Sequence, residues 1–320
     1  MRLFFGWLLF AISVASVLAG GKFLALVLGA ACFMGGKEFI GMAKRKGINP
    51  SSRVVLGMII AFFVVSAIPD FIPGRGLNLG FISNMGFFAR LPGAEEQRYW
   101  STFSIDHFPL VLSIGIFLSF FRLLFRNADP PATIADIAST ILGFIYVGWL
   151  PAHLVLLRNL SPQGMPMSDN PLHQPGLAYV WATLFIIWAT DVFAYYFGKR
   201  LGKHLLYPQI SPKKTVEGAI GGLLASVALG TVVVYVADNY LFACHPFHNN
   251  LWQVPIMATV ISVAAQIGDL GESLLKRDAG IKDSSDFIPG HGGFLDRGDS
   301  LIVGAAVAYY WVCLVVIRQI

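Results

Sequence analysis

Nine apolar runs, each about as long as a helix that crosses a membrane, recur along this chain of 320 residues. Hydrophobic residues make up 56% of the sequence and charged residues only 13%, whereas soluble domains carry about 25% charged residues. The sequence therefore predicts an all-α fold, a single integral membrane domain over residues 1–320 with about nine transmembrane helices. The predicted spans are 3–19, 22–40, 54–72, 107–125, 133–157, 176–197, 216–237, 251–272 and 299–318.

The first run also has features of a secretory signal peptide. Arg2 precedes the apolar stretch, and Val17-Leu18-Ala19 forms a candidate cleavage site. Another apolar run follows at once, so a retained helix is the favoured interpretation. This second run is weakly bounded and carries Lys37 and Glu38 near its end.

The distribution of Lys and Arg predicts the orientation of the chain in the membrane, because cations concentrate in cytoplasmic segments. With the N-terminus in the cytoplasm and the C-terminus outside, 17 of the 23 cations lie inside. Both strongly charged loops, 198–215 and 273–298, then face the cytoplasm. The Pro/Gly/Asn-rich connections 73–106 and 158–175 are then external. We expect a multi-pass protein of the cell (inner) membrane.

The eighth predicted span carries polar residues along one helical stripe. At about 100° per residue, the segment SVAAQIGDLGESLLKR has a polar stripe and an apolar opposite side. A carboxylate inside a span costs roughly 2.5–3.5 kcal/mol at the helix centre. A polar seam against a neighbouring helix explains a lone Ser or Gln, but an Asp followed by Ser and Lys favours a functional site. The stripe consists of Ser262, Gln266, Asp269, Ser273 and Lys276, with Glu272 at its border.

The loop that follows gathers nine of the 41 charges of the chain in KRDAGIKDSSDFIPGHGGFLDRGD. Pro289 and the neighbouring glycines exclude a helix and permit tight turns whose amides can approach an anion. Such turns would fold Asp296, Arg297 and Asp299 back toward Asp269. Carboxylates from two elements, together with phosphate oxygens, are the usual ligands of Mg²⁺. The alternative is a solvated loop with scattered ion pairs, which the glycines and flanking acids disfavour.

A third polar segment, DVFAYYFGKRLGKHLLYPQISPKKTVEGAIGG, connects the sixth and seventh spans. Asp191 lies inside the sixth span, roughly 9–12 Å from its cytoplasmic end at 1.5 Å per residue. We expect SPKKTVEG to cap the seventh helix, where hydroxyls, cations and free amides would suit a phosphate group. By itself this basic run is a weak signal, because many such loops only meet anionic lipid heads. The phosphate-binding candidates are Ser211, Lys213, Lys214 and Thr215.

Cysteine usage indicates neither a disulfide framework nor a metal centre. Cys32, Cys244 and Cys313 are far apart and odd in number. Cys244-His245 with His248 lacks a fourth ligand and the usual zinc spacing, so a polar external loop is the favoured interpretation.

Together these segments resemble the phosphatidate cytidylyltransferases, also called CDP-diacylglycerol synthases. SLLKRDAGIKDSSDFIPGHGGFLDRGD is similar to the family signature of Ser-x-x-Lys-Arg, Lys-Asp, Pro-Gly-His-Gly-Gly and Asp-Arg-x-Asp. DVFAYYFGKRLGK, ISPKKTVEG and QIGDLGESLLKR are similar to its other recurrent segments, in the same order. The resemblance covers about 191–300, within a catalytic half at 176–320, whereas the N-terminal helices of 1–130 match only in being apolar. Gly298 departs from the pattern, since the family usually has an apolar residue there.

The resemblance implies transfer of CMP from CTP to phosphatidate, which gives CDP-diacylglycerol and pyrophosphate for phospholipid biosynthesis. It implies Mg²⁺ as cofactor, with room for a monovalent cation such as K⁺, and suggests a homodimer in contact with membrane lipid and without a nucleic-acid partner. We expect Asp269 and Asp296 to hold the metal. The expected catalytic residues are Asp269, Asp296, Lys276, Lys282, His291 and Arg297. The expected substrate-binding residues are Ser211, Lys213, Lys214, Thr215, Ser273, Arg277, Asp283 and Asp299.

Some of these residues have two interpretations. His291 is a candidate base and equally a hydrogen-bonding residue that fixes the turn. Asp283 and Asp299 are expected to orient the cations rather than to touch substrate. Asp191 is either an acid behind the metal site or a structural partner. The lipid phosphate carries about −1.5 to −2 charges, so we expect catalysis to depend mainly on alignment and charge neutralisation.

Two other functions fit parts of the sequence. CTP-dependent polyprenol or phytol kinases resemble this superfamily in their C-terminal halves, but they would phosphorylate an alcohol and release CDP. The full signature favours cytidylyl transfer. A membrane transporter with intramembrane acids would show paired half-sequence repeats, and no such symmetry is found. The residue spacing of the CDP-alcohol phosphotransferases is absent.

Overall fold

The computed structural model describes residues 2–71, 99–126, 131–160, 170–247, 251–285, 287 and 292–316. It confirms the all-α, polytopic architecture. Most of the predicted connection 73–106, and part of 158–175, lie outside the described residues. π-Helical turns lie at Ile145–Trp149 and Val312–Val316, and Pro171–His173 forms a 3₁₀ turn. The α-helices are α1 (Arg2–Ala19), α2 (Gly21–Arg45), α3 (Ser52–Phe71), α4 (Tyr99–Leu124), α5 (Ile134–Phe144), α6 (Leu150–Arg158), α7 (Pro175–Leu201), α8 (Val216–Tyr240), α9 (Gln253–Asp278) and α10 (Leu295–Trp311).

Seven helical segments within the described residues are long and apolar enough to cross a membrane. Two further predicted spans form shorter apolar helices, Gly6–Ala19 and Ser52–Ile68. All nine coincide with predicted apolar runs. The seven longer segments are Gly21–Arg45, His107–Leu124, Ile134–Arg158, Pro175–Leu201, Val216–Tyr240, Gln253–Asp278 and Leu295–Val316.

The span Ile134–Arg158 forms the centre of the bundle. Of its apolar window, 72% is buried inside the protein, the largest share among the seven segments found in the described residues. A capping box fixes its start, since the Thr133 hydroxyl accepts from the Asp136 amide (3.2 Å) and the Asp136 carboxylate accepts from the Thr133 amide (2.9 Å). Asp136 also accepts a hydrogen bond from the Asn49 amide (2.5 Å). The segment before α3 is thereby tied to the start of α5.

Contacts at the two ends of the bundle fix the relative direction of the spans. At one end, Asn159, which follows α6, donates to the Ser66 carbonyl near the end of α3 (3.2 Å). At the other end, Lys46, which follows α2, forms an ion pair with Asp278 at the end of α9 (3.1 Å). We call this second end, where α2 and α9 end together, the site end.

Helices α7, α8 and α9, which carry the predicted polar segments, pack closely together. A Cβ atom at Gly218 or at Gly222 of α8 would lie 2.7 Å from a carbonyl oxygen of α7. Small residues at this spacing let membrane helices approach each other. The hydroxyls of Thr190 on α7 and Ser262 on α9 form a buried hydrogen bond of 2.9 Å. These contacts hold the polar faces of three helices next to one another.

A two-stranded antiparallel hairpin, β1 (Leu205–Tyr207) and β2 (Ser211–Thr215), precedes α8, and the sequence analysis does not predict it. Within the predicted cap SPKKTVEG, the first five residues form β2. Only Thr215 caps α8, because its side-chain oxygen accepts a hydrogen bond from the Gly218 amide (3.1 Å).

The segment between α8 and α9 contains the weak cysteine–histidine pattern. The Nδ1 atom of His245 lies 2.5 Å from the Asp238 carbonyl oxygen, and the Phe247 amide donates to the Asp238 carboxylate (2.9 Å). Cys244 forms no disulfide, and His248 lies outside the described residues. The contacts are those of a hydrogen-bonded polar turn.

Candidate active site

A cavity of about 570 Å³ opens between the hairpin and helices α7, α8, α9 and α10. Residues from all three predicted polar segments contribute to its walls. The side chains there that could bind or react with a ligand are Asp191, Lys199, Ser211, Lys213, Lys214, Thr215, Gln266, Asp269, Asp299 and Ser300.

Three carboxylates form one part of the cavity wall. Asp191 comes from α7, Asp269 from α9 and Asp299 from the start of α10. Asp269 lies near enough to both of the others for their charges to interact. Ser300 contacts the same two residues, since its hydroxyl donates to Asp191 (3.2 Å) and its amide to Asp299 (2.7 Å). Asp299, expected from the sequence to orient cations, therefore lines the cavity itself.

Cations and hydroxyls of the hairpin form another part of the wall. Lys214 and Asp269 form an ion pair of 2.5 Å, which joins β2 to α9. Two of the amides predicted to be free at the start of α8 already donate hydrogen bonds within the protein. The Val216 amide donates to the His204 carbonyl (2.9 Å), and the Gly218 amide donates to the Thr215 side chain. The four predicted phosphate-binding residues all line the cavity from β2: Ser211, Lys213, Lys214 and Thr215.

Two side chains anchor the hairpin beside the cavity. Arg277, at the end of α9, donates from Nε to the Ile210 carbonyl in the hairpin turn (3.1 Å). Glu217, in the first turn of α8, accepts hydrogen bonds from the amides of Lys203 (3.0 Å) and His204 (3.2 Å). Arg277, predicted to bind substrate, thus contacts the hairpin backbone and is not among the described residues that line the cavity.

A second charged cluster surrounds Asp296. Lys276 forms ion pairs with Asp296 (2.6 Å) and with the fully buried Glu272. The other oxygen of Asp296 accepts hydrogen bonds from the amide (2.8 Å) and hydroxyl (2.7 Å) of Ser284 and from the Gly293 amide (2.8 Å). Both carboxylate oxygens are therefore engaged. Neither Asp296 nor Lys276 belongs to the described lining of the cavity.

The donor set of the cavity fits a hard divalent cation. Mg²⁺ prefers oxygen ligands and is commonly held by one or two protein carboxylates together with waters and substrate phosphates. Asp191, Asp269 and Asp299 offer such carboxylates. In the part of the chain that the structure describes, no three His, Cys, Asp or Glu side chains form a metal site by themselves, so substrate oxygens would have to complete the coordination. The sharing of one ion by Asp269 and Asp296 stays a prediction.

Comparison with known proteins identifies the family of this chain. Residues 1–315 match the sequence profile of the Cytidylyltransferase family. This chain belongs to the cytidylyltransferase family. A Synechocystis protein named phosphatidate cytidylyltransferase is 30% identical over 320 residues, which cover 95% of this chain and 93% of the relative. A Bacillus subtilis protein of the same name is 33% identical over 220 residues, 69% of this chain and 73% of its own length.

Family membership extends to the N-terminal helices, which by motif alone resemble the family only in being apolar. One of these helices carries a residue that no sequence motif pointed to. Glu38 of α2 accepts hydrogen bonds from both arms of the glycine-rich loop, residues 279–294. The signal that could have found it is a carboxylate near the end of the apolar run 22–40, where a charge is costly.

The remaining predicted residues of this cytidylyltransferase lie outside the cavity or outside the described residues. Ser273 is half-buried on α9, and Lys282, Asp283 and Arg297 are exposed. None of these four is among the described residues that line the cavity. His291 lies outside the described residues, so both of its roles stay predictions.

Proposed function

We propose that this chain transfers the cytidylyl group of CTP to phosphatidate, which yields CDP-diacylglycerol and pyrophosphate. The observation that carries the proposal is the cavity in which Asp191, Asp269 and Asp299 lie beside the cations and hydroxyls of β2. The match to the family over residues 1–315 supports the same chemistry, as does the relative named phosphatidate cytidylyltransferase that matches 95% of the chain.

The hairpin residues have the chemistry to bind the triphosphate of CTP. Lys213 and Lys214 would neutralise its charge, and the hydroxyls of Ser211 and Thr215 would donate hydrogen bonds to its oxygens. Alignment and charge stabilisation are the main contributions that a protein makes to transfer at phosphorus. A rigidly anchored hairpin therefore serves the reaction by holding the phosphates in one place.

We propose Mg²⁺ as the cofactor, held by Asp269 with Asp191 and Asp299 on the same wall, and with room for K⁺ beside it. When bound, the ion would draw charge from the phosphate oxygens and favour the departure of pyrophosphate. The cluster of Lys276, Glu272 and Asp296 would contribute by holding the start of α10 against α9, which keeps Asp299 in place.

The proposed reaction balances without an oxidant or an added base. A phosphate oxygen of phosphatidate forms a bond to the α-phosphorus of CTP, and the bond from that phosphorus to the oxygen bridging to the β-phosphate breaks. Pyrophosphate leaves with the electron pair. The lipid phosphate carries about −1.5 to −2 charges near neutral pH, so it needs little deprotonation to attack.

The setting of the reaction is also a proposal. Several helices can span a membrane, which makes this a multi-pass membrane protein. We propose that the site end faces the cytoplasm, where CTP is available, with the N-terminus inside and the C-terminus outside the cell (inner) membrane. The support is the predicted inside location of 17 of the 23 Lys and Arg residues. A homodimer is proposed on the family resemblance alone.

Labelled CTP tests the function directly. Purified protein is incubated with phosphatidate, Mg²⁺ and CTP labelled at either the α- or the γ-phosphate, and the lipid is then extracted. We expect the α label to enter the lipid as CDP-diacylglycerol and the γ label to stay in water as pyrophosphate. Transfer of the γ label to an added polyprenol would instead indicate a lipid kinase, and lipid without either label would refute the proposal.

A further inference from the structure

One carboxylate outside the cavity holds both arms of the glycine-rich loop. Glu38, near the end of α2, accepts hydrogen bonds from the hydroxyls of Ser284 (3.0 Å) and Ser285 (2.6 Å) before the glycines. It also accepts from the amides of Phe294 (3.0 Å) and Leu295 (3.0 Å) after them. Each carboxylate oxygen therefore accepts from one amide and contacts one hydroxyl, and the single proton of the Ser284 hydroxyl is shared between Glu38 and Asp296. A single side chain fastens the loop to a helix of the N-terminal half.

The loop approaches Glu38 so closely that position 293 has room only for glycine. A Cβ atom on Gly293 would lie 2.0 Å from the Ser284 hydroxyl oxygen and 2.5 Å from a carboxylate oxygen of Glu38. Glycine is the residue that permits such a close approach of the backbone. Any larger residue would have to displace the carboxylate or the loop.

The same contacts fix the start of α10. The two amides that Glu38 accepts lie at the N-terminus of this helix, where amides lack intrahelical partners and a carboxylate is favourable. The Ser284 hydroxyl links the Glu38 and Asp296 carboxylates, since its oxygen lies 3.0 Å from Glu38 and 2.7 Å from Asp296. One turn further along α10, Asp299 lines the cavity. A shift of the helix start would therefore move a carboxylate of the site.

We propose that Glu38 is a positioning residue for the transfer reaction, which fixes the start of α10 and thereby the place of Asp299 in the cavity. This inference rests on the proposed function, but the anchor itself can be measured without turnover. Glu38 is not among the described residues that line the cavity, and its hydrogen bonds to the Phe294 and Leu295 amides are the contacts through which it would act on Asp299. Both carboxylate oxygens of Glu38 are needed as acceptors. In a Gln, an NH₂ group would replace one of them and face the hydroxyl and amide donors of the loop.

Glu38→Gln tests the proposal, with Asp136→Asn as a matched control. Asp136 also holds a helix start through backbone amides, those of Asn49 and Thr133, and is not part of the described cavity lining. Both variants should lower the thermal unfolding midpoint. We expect kcat to fall about 10–100-fold in Glu38→Gln with little change in KM for CTP, and to stay near wild type in Asp136→Asn.

Hydrogen exchange of the amides of residues 292–300 gives a second readout. We expect exchange about tenfold faster in Glu38→Gln and unchanged in Asp136→Asn, because only the first loses charged hydrogen bonds at this helix start. Gly293→Ala should reproduce the loss of kcat and the faster exchange.

Three results would overturn the inference: equal losses of kcat in the two carboxylate variants, wild-type kcat in Gly293→Ala, or unchanged exchange in Glu38→Gln. A wild-type protein that makes no lipid product would instead refute the proposed function, and the exchange experiment would still decide whether Glu38 anchors α10.

Discussion

Lys214 and Asp269 are the residues at which the opposite charges of the cavity meet, in an ion pair of 2.5 Å. Asp191 and Asp299 line the same cavity, and Ser300 gives them hydrogen bonds but no compensating charge. Carboxylates gathered in one site repel one another, and a bound cation is often the largest local charge that relieves such repulsion. A divalent ion here would also release Lys214 to pair with a phosphate.

Asp269→Asn should lower CMP transfer about 100-fold, because the amide keeps the shape of the side chain and removes the charge that would hold the ion. The variant should also need more Mg²⁺, measured as the concentration that gives half-maximal CDP-diacylglycerol synthesis. Near-normal turnover would remove the metal assignment.

Asp296→Asn, in the same assay, tests the predicted second ligand. If Asp296 shares the ion with Asp269, as we expect from the sequence, product should be lost and the Mg²⁺ requirement should rise, as for Asp269→Asn. The substitution could also lower activity in another way. Asp296 contacts Lys276, Ser284 and Gly293, and loss of these contacts would displace α10. Lost turnover at an unchanged Mg²⁺ requirement would therefore contradict the shared ion and support a structural role.

The helical period explains which of these residues the sequence could predict. Gln266 and Asp269 lie three positions apart on α9, and both line the cavity as the polar stripe indicates. Glu38 could not be found in this way, because its partners lie 246 to 257 positions further along the chain. Such a contact depends on how α2 packs against the glycine-rich loop, which local periodicity does not encode.

Among the elements, the hairpin shows why part of the site could not be predicted. β1 has three residues, and β2 has five with the sequence SPKKT, so neither shows the alternation of apolar and polar residues that marks a strand. A two-stranded hairpin is marginally stable by itself. Contacts with Arg277 and Glu217 hold it here. The helices, by contrast, carry a strong local signal in their long apolar runs.

The substitution Gly→Ala should have opposite effects at two positions in the helices around the cavity. At Gly222 the new Cβ would lie 2.7 Å from the Thr190 carbonyl oxygen, so α8 must move from α7 at a cost of about 1–3 kcal/mol. At Gly298 nothing lies within 4 Å of the added atom, and Ala should stabilise α10 by about 0.5–1 kcal/mol. Thermal unfolding in one detergent should show a lower midpoint for the first and a higher one for the second. A midpoint for Gly222→Ala at or above that of the wild type would contradict the close packing of α7 and α8.

For the whole molecule, the site end joins elements from both halves of the chain. Ion pairs and hydrogen bonds link α2 to α9, α9 to the hairpin and α2 to the glycine-rich loop. The cavity lies beside this network and between helices long enough to cross a membrane. This placement suits a reaction between a nucleotide from water and a lipid from the bilayer. The orientation of the bundle decides which compartment supplies the nucleotide.

Lys203→Cys and Tyr240→Cys measure that orientation, because the two exposed side chains lie at the site end and at the far end of α8. In sealed right-side-out vesicles, a maleimide that cannot cross the membrane should label Tyr240→Cys and not Lys203→Cys, and inside-out vesicles should reverse the result. The native protein gives the background, which should be low. Cys32 is buried, and Cys313 lies within the apolar segment Leu295–Val316. Burial raises the pKa of the Cys244 thiol, so this thiol stays protonated and slow to react near neutral pH. Labelling of Lys203→Cys from outside would show that the bundle has the opposite orientation, with the cavity on the side away from cytoplasmic CTP.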